Sequence, residues 1–157
     1  MRDVPEPGQE SVWDYPRPPF CLPSAKHVVV RSGERIVAET TAAFRVLETS
    51  HPPTWYLPRT DVAPGVLTRS DSGSTWCEWK GAATYWDVFG LDAAAWSYEQ
   101  PTADFAAITG YLAFSPTKLA CEVDGEQVRP QPGGFYAGWI TSDVVGPFKG
   151  GPGTWGW

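Results

Sequence analysis

The sequence predicts an all-β domain, and three observations carry that prediction. Short runs of β-branched and aromatic residues recur at close spacing, Gly- and Pro-bearing turns punctuate them, and a single segment has a helical pattern. Glycine and proline number sixteen each in 157 residues, a share that in a polar chain signals disorder. Here apolar residues make up 42% and aromatics 14%, more buriable surface than a disordered chain carries. A chain of this length has room for one domain whose core needs no metal or disulfide. The expectation is a compact barrel or sandwich of nine to eleven short antiparallel strands, framed by extended arms.

Residues 1–25 contain Pro5, Pro7, Pro16, Pro18, Pro19 and Pro23. Proline donates no backbone hydrogen bond and restrains the residue before it, so this arm reads as extended or polyproline-like. Val12, Trp13, Tyr15 and Phe20 give it apolar anchors, and VWDYPRPP is its expected docking segment.

The β domain, residues 26–129, opens with HVVVR (27–31), a Ser32-Gly33 turn and RIVAET (35–40), which together read as a hairpin. FRVLET (44–49) and TWYL (54–57) follow as strands, with His51-Pro52-Pro53 bending the chain between them. GVLTRS (65–70) is a weaker strand, set off from STWCEWK (74–80) by the polar turn Asp71-Ser72-Gly73. ATYWDVF and AAAWSY come next, then a short helix over 104–109 with Thr102 as N-cap and Gly110 as its stop. YLAFS and LACEV are strands, and Asp124-Gly125 turns the chain into EQVR.

From Pro130 the chain is rich in glycine and aromatics, and it either wraps the domain or meets another subunit, so a homodimer is among the expected arrangements. Trp13, Tyr15, Phe148 and Trp155 are the expected anchors of the two arms, held by side-chain docking because proline and glycine disfavour strand pairing.

Charge and cysteine usage narrow the function classes. Twelve basic against eighteen acidic residues leave a net charge of −6, and no Lys/Arg cluster offers a patch for nucleic acid or an anionic membrane. No apolar run approaches the ~18 residues that span a bilayer, and no signal-peptide pattern follows Met1. Cys21, Cys77 and Cys121 are odd in number and widely spaced, which fits reduced thiols in a cytoplasmic protein. GPFKGG lacks the Lys-Ser/Thr and helix of a phosphate loop, no G-x-S-x-G elbow occurs, and the two histidines and scattered carboxylates show no metal-ligand spacing. No metal or cofactor is expected.

Three clusters can carry chemistry. In TWCEWKGAATYW (75–86), strand alternation puts Trp76, Glu78 and Lys80 on one face and Thr75, Cys77 and Trp79 on the other. Cys77 then either fills a gap in the core or serves as a thiolate nucleophile. In VLETSHPPTWYLP (46–58), Glu48 and His51 can exchange a proton or orient a ligand, or merely cap a turn. The aromatics Trp55, Tyr56, Trp76, Trp79, Tyr85, Trp86, Trp96 and Tyr98 build a core or line a pocket.

VWDYPRPP, VLETSHPPTWYLP, CEWKGAATYW, AAWSYEQP and YLAFSP, in that order, resemble the bacterial family of domain of unknown function 427, also labelled nucleotidyltransferase-like; the match covers about residues 26–118, and the proline-rich arm and Gly/Trp-rich tail resemble the longer members of that family. The resemblance implies a mostly β, barrel-like domain and no established reaction. A nucleotidyltransferase would need Gly-Ser followed by paired metal-binding aspartates. Here Gly73-Ser74 is followed by the isolated acids Glu78 and Asp87.

The sequence therefore points to a small-molecule ligand in an aromatic-lined pocket, with Glu48, Tyr56, Cys77, Lys80, Tyr85 and Trp96 as binding candidates, with or without catalysis. Glu48, Tyr56, Lys80 and Tyr85 are expected to converge. The alternative is a non-enzymatic interaction or oligomerising module that uses the aromatic arm and tail.

Overall fold

The computed structural model describes residues 2–157, the side chain of Ser72 excepted. Among the described residues the strands in chain order are β1 (Glu10–Ser11), β2 (Phe20–Ser24), β3 (Val28–Ser32), β4 (Arg35–Thr40), β5 (Ala43–Leu47), β6 (Thr54–Tyr56), β7 (Leu67–Cys77) and β8 (Gly81–Val88). They continue with β9 (Leu91–Ser97), β10 (Leu112–Phe114), β11 (Ala120–Val123), β12 (Glu126–Gln127), β13 (Arg129–Pro130), β14 (Trp139–Ile140) and β15 (Val144–Val145). Helical structure is confined to the 3-10 turns Val12–Asp14, Arg59–Asp61 and Ala103–Ile108. The chain is all-β, as expected. None of these helical turns is long and apolar enough to cross a membrane.

Two layers enclose the main core. One is the antiparallel sheet β12-β11-β3-β4. The other joins β2-β5-β6 to β10-β9-β8-β7, because Leu57 and Leu112 exchange both backbone hydrogen bonds at 2.8 Å. Val28 and Val30 of β3 face Leu57, Val88, Ala94, Leu112 and Phe114 across that core. Among the described residues the layers do not close into a barrel. β4 meets the other layer through the isolated Ala38–Val62 bridge rather than a ladder, so the arrangement is sandwich-like.

Several expectations are corrected by pairing partners that lie far away in the chain. Asp71-Ser72-Gly73 is not a turn between two strands. β7 runs through it, and the positive φ of Gly73 is taken up by a register shift against β8 between Arg69 and Ser74. The next strand does not reach Lys80, because Cys77 pairs with Gly81 and residues 78–80 form the hairpin tip. Glu78 and Lys80 therefore do not share a strand face. The expected helix is a 3-10 turn, and Thr102 does not cap it with its side chain. Its hydroxyl instead donates to the Trp79 carbonyl at 2.5 Å.

The strand total exceeds the expected nine to eleven because the arms pair as well as dock. β2 aligns antiparallel with β5 despite Pro23, at the outer edge of its sheet where a missing N–H costs least. β1 runs parallel to β15. Val12, Tyr15, Leu47 and Val144 form a small core that Trp13 and Phe148 pack against. Trp155 is not an anchor, since its surface is 77% exposed. Trp139, also in the tail, is 1% exposed within the main core, where it stacks on Trp55 at 6.0 Å and donates its indole N–H to the Phe114 carbonyl.

Candidate functional site

Alternation along the long sheet sends side chains to two different interiors. Trp55, Leu57, Leu112 and Phe114 enter the main core, while Tyr56 and Ala113 point to the opposite face. On that outer face Tyr56 and Tyr98 are joined by Ala83, Phe105 and Ile108, with Cys21, Cys77, Trp79, Tyr85 and Trp96 packed around them. The 3-10 turn Ala103–Ile108 covers the cluster. The β7–β8 hairpin tip is tied to the start of that turn, because the Thr102 N–H donates to the Lys80 carbonyl at 3.1 Å. Five of the six candidates thus fall in or beside one cluster: Tyr56, Cys77, Tyr85 and Trp96 in it, Lys80 over it.

Lys80 is half-buried, with its ammonium 5.6 Å from the Tyr98 ring centroid and 5.9 Å from that of Phe105. Both distances are within cation–π range. Among the described residues it forms no ion pair, whereas Arg17, Lys26, Arg31, Arg45 and Arg59 each have a carboxylate partner.

The polar groups below Lys80 are held protonated. Burial pushes the fully buried Tyr56 phenol above its ordinary range, against a hydrogen bond donated by the Trp96 indole. Burial raises Tyr98 likewise, against the charge of Lys80. The Cys21 thiol is pushed up to about 11 by burial, again opposed by Lys80. The Tyr85 hydroxyl pairs with that of Thr75 at 2.8 Å. Cys77 is half-buried at the cluster edge rather than enclosed.

Glu48 stands apart from these five. It lies one residue beyond β5, on the alternation that carries Phe44 and Val46 into the cluster. One of its oxygens, Oε2, is 3.5 Å from Arg17 Nε and 3.6 Å from His51 Nε2. The protonation of His51 follows from its other neighbour. Gln131 Oε1 accepts from the Gly138 N–H at 3.0 Å, which orients the amide and makes Nε2 the donor. That Nε2 donates to the Lys149 carbonyl at 2.7 Å and to His51 Nδ1 at 3.1 Å. Nδ1 is therefore unprotonated and the ring hydrogen sits on Nε2, toward Glu48. Burial, then the charges of Lys149, Arg17 and Lys80, hold the imidazole down at about 4, so it is neutral near pH 7. The His51–Glu48 contact is accordingly not an ion pair.

A shallow depression of about 460 Å³ adjoins the far end of the cluster, where Phe44 and Tyr111 meet edge-to-face. None of the six candidates lines it.

The model of the family described as domain of unknown function 427 matches residues 20–128. The chain belongs to that family. No curated protein matches it. The family match begins at the first residue of β2 and ends beside β12, so it contains both layers and all six candidates. Arg17, Gln131 and Lys149, which surround His51, lie outside it. The Gly73-Ser74 pair sits within β7, and Glu78 is exposed at the hairpin tip.

Reading the sequence named Tyr98 among the aromatics of a core or pocket without counting it among the six candidates, and it missed Cys21 and Gln131. Tyr98 was visible as the partner of Trp96 in a two-residue period. Cys21 was obscured because its arm was not expected to pair. Gln131 had no local signal, since all its partners come from other segments.

Proposed function

We propose that the chain binds a small molecule on the outer face of its long sheet, beside Lys80 and against the half-buried Cys77, Trp79 and Tyr85. The observation that carries this reading is the lysine itself. Its ammonium is partly withdrawn from water above aromatic rings, without a carboxylate to compensate it. Aromatic walls with a few convergent polar groups are the usual make-up of a ligand site.

The titration behaviour of the cluster supports binding over turnover. Tyr56, Tyr98 and Cys21 are all pushed upward, which suits hydrogen-bond donors and not bases or nucleophiles at neutral pH. The three thiols are unpaired, in keeping with a reducing, cytoplasmic setting.

A thermal-shift screen of small metabolites on the wild type and on Lys80→Met tests the reading. Ligands of this face are expected to lose about tenfold or more in affinity in the variant, the worth of one charged contact. If every ligand binds both proteins equally, the face is not the site.

A second reading has its own observation. Phe135 and Trp155 are 75% and 77% exposed, with ring centroids 6.2 Å apart, and Tyr136 stacks edge-on to Phe135. Such a patch suits a protein partner or a second copy of the chain. Sedimentation of Phe135→Ser/Trp155→Ser beside the wild type distinguishes the two cases, because a dimer built on this patch would dissociate.

A further inference from the structure

We infer that the ligand of this face is an aromatic anion, whose carboxylate or phosphate oxygens take the hydrogens of the Lys80 ammonium while its ring lies against Trp79 and Tyr85. The inference rests on the reading of the face as a binding site and adds the chemical class of the ligand.

Three observations lead to it. First, Lys80 is the lysine whose hydrogens the fold leaves unused. Lys26 donates to the Asp143 carboxylate at 2.5 Å, Lys118 to the Asp92 carbonyl at 2.5 Å and Lys149 to the Trp157 carbonyl at 3.3 Å. The Lys80 ammonium has the faces of Tyr98 and Phe105, at 5.6 and 5.9 Å, and among the described residues no oxygen accepts from it. An aromatic face offsets part of a charge without filling its hydrogen-bond directions, so this half-buried ammonium keeps its N–H donors for an incoming anion.

Second, the acids closest to it in the neighbouring segments do not serve as counter-ions. Glu78 on the hairpin tip and Asp104 on the covering 3-10 turn are both exposed, and among the described residues neither pairs with Lys80. In a chain with a net charge of −6, an uncompensated cation among aromatic rings is a local point of attraction for anions.

Third, the ammonium is placed before any ligand arrives. The Trp79 carbonyl accepts from the Thr102 hydroxyl at 2.5 Å and the Lys80 carbonyl from the Thr102 N–H at 3.1 Å, so one residue clamps two consecutive carbonyls of the tip. Gly81 lets the tip lie this close: its φ of +105° favours glycine, and a Cβ there would stand 3.4 Å from the Gln100 carbonyl oxygen. Trp79 and Tyr85 are half-buried in the same cluster as Tyr98 and Phe105, and the Tyr85 hydroxyl is held by that of Thr75 at 2.8 Å. Rings and charge fixed in advance lower the cost of ordering a ligand of matching chemistry.

The test follows the indole ¹H–¹⁵N signal of Trp79, assigned with a Trp79→Phe variant, while benzoate, phenyl phosphate or benzamide is titrated into the protein. The three probes share one ring, and benzamide lacks the charge. Saturable movement of the Trp79 signal is expected, with an anion bound about tenfold or more tighter than benzamide, the worth of one hydrogen bond to a charged group. Tight binding of both anions marks a general oxyanion site, and of one alone a carboxylate or a phosphate site. Lys80→Met should abolish the preference for the anion, and Lys80→Arg should keep it. Benzamide bound as tightly as both anions overturns the inference and leaves the binding face standing, and an anion preference unchanged in Lys80→Met overturns it as well. A Trp79 signal that no probe moves removes the inference and the face together.

Discussion

Removal of residues 135–157 is expected to unfold the protein at room temperature or leave it only marginally folded. The deletion takes out Trp139, which is 1% exposed, stacked on Trp55 and hydrogen-bonded to the Phe114 carbonyl. It also removes β14, β15 and Phe148, and with them one side of the small core around Val12 and Tyr15. Truncating a buried tryptophan to alanine alone costs roughly 3–5 kcal/mol, against a whole-domain stability of about 5–15 kcal/mol. Urea unfolding of Trp139→Ala should therefore show most of the loss. Trp155→Ala, at a largely exposed site, should stay within about 0.5 kcal/mol of the wild type. Equal effects from the two tryptophans would mean that the tail does not enter the core.

Acid should weaken the fold through His51 before it reaches the carboxylates. The ring titrates at about 4 in the folded protein against an ordinary 6.5, because burial and then Lys149, Arg17 and Lys80 disfavour its charge. The folded-state value is the lower one, so the unfolded chain takes up the proton first. The contribution of neutral His51 is fully present above pH 6.5 and is lost as pH falls toward about 4. With the side chain only 13% exposed, the loss is on the order of 3 kcal/mol. Chemical denaturation at a series of pH values, on the wild type and on His51→Gln, isolates it. The wild type should lose stability across that window by this amount more than the variant does. Parallel curves would show that His51 titrates as freely as in an unfolded chain.

The fold was legible wherever the information was local. β3 and β4, β11 and β12, and the Asp124-Gly125 turn, where both residues have positive φ, follow from alternation and turn chemistry alone. Asp71-Ser72-Gly73 has that same chemistry and yet lies inside β7, because β8 supplies a partner that tolerates a bulge there. Local composition cannot tell a turn from a bulge. β2 was hidden for the opposite reason: prolines argue against a ladder, and only the edge position makes Pro23 acceptable.

The candidate site divides along the same line. Tyr56, Tyr85 and Trp96 were found because alternation places them on one face of neighbouring strands. Lys80 reaches that face from a hairpin tip, held there by the Thr102 bond to its carbonyl, so strand alternation assigned it wrongly. His51 and Glu48 were visible as a pair within a bend. Their protonation was not, because it depends on Gln131, 80 positions along the chain. Gln131 in turn is fixed only once the tail has packed.

The binding face can be tested most directly by soaking crystals of the protein with a mixture of small aromatic fragments, some bearing a carboxylate or phosphate and some neutral. Density is expected beside Lys80, against the half-buried Cys77, Trp79 and Tyr85, with any anionic group within hydrogen-bonding reach of the Lys80 ammonium. Fragments bound only in the depression beside Tyr111, or only on the exposed Phe135–Trp155 patch, with the Lys80 face bare, would contradict it.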